Sequence, residues 1–247
     1  MIWEFGVFFL SFINLAALWL VFDYPDRAFW IIGIFAAALL IGVRLIARNF
    51  RFFFLLALLT VGALLLLPLI DSPAQAKAFI FLISGVFYLA ILAGYRLRKY
   101  DKDQTAKAMV NLAALAALFC WYTSVYGWYL NIQVSVWYIM AVFAAITFLV
   151  SHILIMINKL EINRYQRVLY SVYLAYLMAG AIWIQNFWPF GYLTTGVIAL
   201  IIYYVSWDII RNYFTEKLTA RKIVFNLFFL AGTASILLLS TKWYPII

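Results

Sequence analysis

The sequence has very few of the residues that build disulfides and metal sites. Its 247 residues include one cysteine, Cys120, and one histidine, His152. One cysteine excludes an intrachain disulfide, and the two residues together cannot supply a bis-histidine haem, a zinc tetrad or a thiolate cluster. The chain also lacks a G-x-S-x-G, Walker or dinucleotide-binding motif. We therefore expect no metal and no cofactor, and the sequence does not favour an enzyme.

Charged residues are scarce too. They make up 11% of the chain, whereas 68% of it is hydrophobic. Soluble domains are about half apolar and about a quarter charged, so this chain cannot cover a globular surface with polar groups. If lipid is the solvent instead, only helices or closed barrels satisfy the backbone. The apolar runs are continuous and about 20 residues long, as a spanning helix requires. We predict an all-α, polytopic membrane bundle that forms a single domain, residues 1–247.

Nine apolar segments predict nine spanning helices. Their expected limits are Ile2–Phe22, Ala28–Ile46, Phe52–Ile70, Ala78–Tyr95, Ala108–Tyr126, Val134–Ile157, Val168–Phe187, Gly191–Tyr213 and Ile223–Thr241. Similar apolar stretches end at Arg44, Arg96, His152 and Asp208 at nearly regular intervals. This pattern suggests four helical hairpins and a ninth helix, although any array of similar hairpins would resemble it.

Basic residues alternate between the two sides of this predicted bundle. The connections after the second, fourth, sixth and eighth segments hold Arg44, Arg48, Arg51, Arg96, Arg98, Lys99, Lys102, Lys107, Lys159, Arg164, Arg167, Arg211, Lys217, Arg221 and Lys222. Arg27, Lys77 and Lys242 fall on the other side. Positive residues resist translocation, so the richer side marks the cytoplasm. We expect a bacterial plasma membrane protein with a cytoplasmic N-terminus and an outer C-terminus, with membrane lipids as partners and no nucleic acid despite a net charge of +9.

Ionisable and amide side chains inside a bilayer are costly, so each invites a functional hypothesis. Five such residues share a depth near the cytoplasmic ends of five segments: Arg44, Asn111, His152, Asp208 and Asn226. If those helices adjoin, the five would line a polar cavity that opens to the cytoplasm. The alternative is structural, because Asp208 can pair with Arg211 three residues later and asparagines often link helices.

Aromatic residues crowd the predicted outer side and form a second candidate surface. Its members are Trp121, Tyr126, Trp128, Trp183 and Trp188. Such a surface can hold a lipid headgroup, a sugar or an aromatic partner. The interfacial belt that most membrane proteins carry explains the same pattern.

Three functions fit these features. The first is a small transporter or permeation protein that uses the inner polar layer. The second is a non-catalytic structural or assembly subunit of a larger membrane complex or homo-oligomer, with a flank covered by protein. The third is a membrane enzyme acting on a lipid-linked substrate, which needs a lateral opening and acidic residues at the interface. Only 11 glycines and 5 prolines argue against the broken helices of many transporters.

Overall fold

The computed structural model describes residues 2–47, 49–132, 134–158, 162–216 and 218–240. These residues contain no strands, and they form nine helices that are long and apolar enough to cross a membrane. They are α1 (Ile2–Asp23), α2 (Ala28–Ile46), α3 (Phe50–Leu66), α4 (Pro73–Lys99), α5 (Gln104–Asn131), α6 (Val136–Ile157), α7 (Arg164–Gln185), α8 (Tyr192–Phe214) and α9 (Ala220–Ser240). The predicted all-helical fold is thereby confirmed. The basic residues Arg48, Lys159, Lys217 and Lys242 and the predicted helix end at Thr241 lie outside the described residues.

Two helices are much longer than the sequence predicted, since α4 has 27 residues and α5 has 28. Helix α4 starts at Pro73 instead of Ala78 because a proline in the first helical turn has no N–H whose hydrogen bond could be lost. Helix α5 covers Gln104–Asn131, although its polar outer end predicted a short helix over Ala108–Tyr126. Polarity at a helix end therefore did not mark the end of the helix.

The start of α5 is fixed by Asp103. The backbone N–H of Ala106 donates to Oδ1 of Asp103 at 3.1 Å, and Nε of Arg96 donates to Oδ2 at 2.8 Å. The hydrogen bond from Ala106 and the nearby Arg96 guanidinium hold the pKa of the Asp103 carboxyl below its ordinary value. This carboxylate thus satisfies a backbone donor at the helix N-terminus and ties it to the end of α4.

The chain forms two compact units, Met1–Ala117 and Leu118–Ile247, and α5 contributes to both. In the first unit, α1 packs against α2 and α4, and α3 also packs against α2 and α4. A polar link crosses this apolar core at Asn14 of α1, which is fully buried. Its Oδ1 accepts from Oγ1 of Thr60 in α3 at 3.3 Å, and its Nδ2 donates to Oγ of Ser84 in α4 at 3.5 Å. One amide thus joins three helices.

In the second unit, α6 packs against α7, α7 against α8, and α8 against α9. Two buried hydroxyl pairs add links between helices. The hydroxyls of Tyr122 in α5 and Thr147 in α6 lie 2.7 Å apart, and those of Ser151 in α6 and Tyr203 in α8 lie 3.1 Å apart. Between apolar helices, such bonds fix register where apolar packing alone would not.

A close approach between α5 and α8 requires a glycine. A Cβ atom added at Gly196 would lie 3.0 Å from the backbone Cα of Thr123 and would collide with the hydroxyl of that threonine. Because a backbone atom is involved, no rotamer change relieves the contact. The absence of a side chain at Gly196 therefore sets how closely α8 can pack against α5.

We predict that Gly196→Ala lowers the free energy of unfolding by about 1–3 kcal/mol, the range for overpacking a well-packed interior. Thermal unfolding in detergent checks this prediction. The matched control is Gly180→Ala in α7, where an added Cβ meets no atom within 4 Å. Equal unfolding midpoints for the two variants would contradict the close approach.

Candidate functional site

The candidate site lies where the last turns of α8 meet the first turns of α9. Asp208 and Asn212 are four residues apart in α8, and Lys222 and Asn226 are four residues apart in α9, so each pair projects from one helix face. The chain leaves α8 through Glu216, whose φ of 55° is left-handed, as is common just after a helix C-terminus. The reversal sets the two polar pairs side by side.

The four side chains form one hydrogen-bonded cluster, here called the carboxamide cluster. Oδ2 of Asp208 accepts from Nδ2 of Asn212 at 2.8 Å and from Nδ2 of Asn226 at 2.9 Å. Nζ of Lys222 donates to Oδ1 of Asn212 at 3.2 Å. The chain of bonds therefore runs from an ammonium through one carboxamide to a carboxylate. A carboxylate that accepts two amide hydrogens keeps its negative charge at a lower cost of burial.

The carboxamide cluster faces an open cleft of about 510 Å³ between α8 and α9. The lining residues are Tyr204, Asp208, Asn212, Thr219, Arg221, Lys222, Phe225 and Asn226. A second, apolar cleft of about 370 Å³ shares Arg221 and Phe225 with the first and continues along α9 past Val224, Phe228 and Phe229. The two clefts adjoin at these shared residues, and polar and charged side chains line most of the first, whereas apolar side chains of α9 line most of the second.

The structure brings together part of the predicted polar layer. Asp208 and Asn226 are in contact, and Asn226 is only 7% exposed. Asn212 and Lys222 were not among the predicted site residues, although each lies four residues from a predicted member. A search for polar residues at helical spacing around Asp208 and Asn226 would have found both.

The other three predicted members lie elsewhere in the described structure. Arg44 is exposed in the last turn of α2, and Asn111 is half-buried in α5; both belong to the first unit. His152 is half-buried in α6 of the second unit, and its ring stacks on Phe148 with centroids 5.7 Å apart. That these three share a cavity with Asp208 stays a prediction.

The predicted outer aromatic surface divides between exposed and buried positions. Trp128 and Trp183 are exposed, and Trp121 and Trp188 are half-buried. Tyr126 is only 2% exposed, so it belongs to the core of the second unit. The sequence pattern could not separate it from its neighbours, because all of them are aromatic residues on the predicted outer side.

The fold and the carboxamide cluster define an all-helical protein with long apolar helices and a polar groove between two of them. The chain belongs to a family described as Protein of unknown function (DUF5656), whose model matches residues 44–241. The matched region contains the whole carboxamide cluster. Neither a curated protein nor a solved structure matches the chain.

We predict that Asn226→Ala lowers the free energy of unfolding by about 1–2 kcal/mol, because its hydrogen bond to the half-buried carboxylate of Asp208 is lost. The loss should be smaller when Asp208→Asn is already present, since the charge is then gone. Chemical or thermal unfolding of the four variants gives this coupling. Thr233→Ala is the matched control in α9, because that hydroxyl bonds to the backbone of its own helix at 2.6 Å. An Asn226→Ala effect that does not depend on Asp208 would contradict the cluster.

Proposed function

We propose that this chain is an integral membrane protein whose nine helices all span the bilayer, with the N-terminus in the cytoplasm and the C-terminus outside. Two features support the proposal. The nine helices have the length and apolar character that a span needs, and the basic residues collect in alternate connections. A bacterial plasma membrane suits these short connections. In this orientation the carboxamide cluster lies near the cytoplasmic surface.

The orientation predicts the behaviour of a reporter that fluoresces only in the cytoplasm. Fused after residue 247 it should stay dark, because an odd number of spans carries the C-terminus outside. Fused after residue 216, beyond α8, the same reporter should be bright. Whole-cell fluorescence normalised to expression measures both. A bright fusion after residue 247 would contradict nine spans.

We further propose that the protein is a small transporter or permeation protein that takes its ligand at the α8–α9 cleft. One observation carries this proposal: the Asp208 carboxylate is held by two neutral carboxamides in an open cleft. An acidic residue within a membrane-spanning helix is costly and tends to be functional. Its two amide partners stabilise the charge without neutralising it, so it remains available to a polar ligand. The cleft volume lies within the range of small-molecule sites.

Native mass spectrometry of protein extracted gently from its own membrane tests this proposal. We expect a reproducible bound mass on the wild type that is lost in Asp208→Asn, because the ligand depends on the carboxylate. Asp101→Asn is the matched control, since that acidic residue lies in the connection between α4 and α5. A bound mass that persists in Asp208→Asn, or no bound mass in the wild type, would contradict the proposal.

A second function, a subunit of a larger membrane complex, is favoured by one face of α7. Tyr173 and Tyr176, near the middle of this helix, are 55% and 79% exposed. A phenol hydroxyl in hydrocarbon has no hydrogen-bond partner, which costs roughly 2–7 kcal/mol on transfer scales, so a protein surface suits this face better than lipid. In the same native mass spectra, a stoichiometric assembly with other chains would favour this second function.

A further inference from the structure

We propose that the ligand of the α8–α9 cleft is an aminophospholipid, a lipid whose headgroup carries both a phosphate and a primary amine. The inference deepens the proposed function and rests on it, because it names the ligand class of the same cleft. The ligand of the proposed transporter or permeation protein would then be a lipid and not a water-soluble solute.

The charges of the cleft match such a headgroup. Arg221 and Lys222 line the cleft and offer guanidinium and ammonium donors to a phosphate, whereas Asp208 offers a carboxylate to an amine. Lys222 and Asp208 are separated by the single carboxamide of Asn212, which bonds to both. In an ethanolamine headgroup, the phosphate and the amine are joined by two carbons, so they are separated by a similarly short distance. A purely anionic headgroup would leave Asp208 facing negative charge, and a purely cationic one would oppose Arg221 and Lys222.

The apolar cleft along α9 would accommodate the rest of the lipid. The neighbouring cleft shares Arg221 with the polar one and is lined otherwise by apolar side chains. Phe225 and Phe228 are 70% and 79% exposed on α9. A basic pocket between helices on the cytoplasmic side, open to the bilayer, is a known way to bind lipid headgroups. An acyl chain would then lie along α9, deeper in the bilayer than the phosphate of the same lipid.

The depth of Asp208 distinguishes a bound lipid from an ordinary boundary lipid. In the proposed orientation α9 begins at the cytoplasmic surface, and Asn226, which bonds to Asp208, lies one helical turn deeper than Lys222. A boundary lipid presents its amine outward to water. Here the amine must turn inward past the phosphate to reach the carboxylate. A lipid bound in this cleft would therefore differ from a boundary lipid in one property: the site would select lipids that carry a primary amine.

The test is a titration of the purified full-length chain with phosphatidylethanolamine and with phosphatidylcholine of identical acyl chains, followed by native mass spectrometry. The two headgroups have the same net charge, but the methylated amine of choline cannot donate a hydrogen bond. We expect the ethanolamine lipid to bind about tenfold more tightly, as one hydrogen bond to a charged group implies. Asp208→Asn should reduce this preference to within about twofold, and Lys222→Ala should weaken both lipids alike. Asp101→Asn and Arg51→Ala are matched controls outside the cleft.

The contrary results differ in whether they overturn this inference alone or the proposed function as well. Equal binding of the two lipids by the wild type overturns the inference, and this comparison does not depend on any variant folding. Glycerophosphoethanolamine, the same headgroup without acyl chains, should bind far more weakly; equal affinity would assign the cleft to a soluble phosphate compound. An Asp208-dependent ligand from the native membrane that lacks phosphate and amine overturns the inference and leaves the proposed function standing. No Asp208-dependent ligand of any kind overturns both.

Discussion

A polar group buried among apolar helices needs a hydrogen-bond partner inside the protein, and this constraint shapes the structure. The backbone meets it by forming helices along nearly the whole described chain. Some of the polar side chains in the apolar helices are paired across helices, as Asn14 is with Thr60 and Ser84, and Tyr203 with Ser151. Others, such as Ser11 and Ser171, bond to the backbone of their own helix. The bonds between helices, which remove the cost of burial, also fix which helices are neighbours.

The carboxamide cluster is different, because it places a charged group between two apolar helices. Asp208 is the one carboxylate among the described residues that lies inside an apolar helix, outside the first and last turn of that helix. A fully apolar contact between α8 and α9 would avoid the cost of a charge there. Two asparagines and a lysine instead hold the charge, and the cleft leaves room beside it. An acidic group that is stabilised but not neutralised is suited to binding a polar ligand, as the proposed function requires.

The sequence predicted the helices well, because runs of apolar residues of this length have few other structures open to them. It predicted helix ends less well at α4 and α5, where Pro73 and Asp103 start a helix earlier than hydropathy alone suggests. Half of the carboxamide cluster, Asp208 and Asn226, was predicted from depth. Asn14 was missed because its partners are 46 and 70 residues away in sequence. Which helices adjoin is a tertiary property that periodicity does not encode.

The most direct test of the account is whether water on the cytoplasmic side reaches the carboxamide cluster. The single native cysteine, Cys120, is buried, so cysteines introduced by Asn212→Cys and by Thr195→Cys, near the other end of α8, can be probed with a membrane-impermeant thiol reagent. The account predicts that Asn212→Cys reacts in inside-out vesicles and not in right-side-out vesicles, and that the buried Thr195→Cys reacts in neither. Reaction of Asn212→Cys only from the outer side, or from neither side, would contradict it.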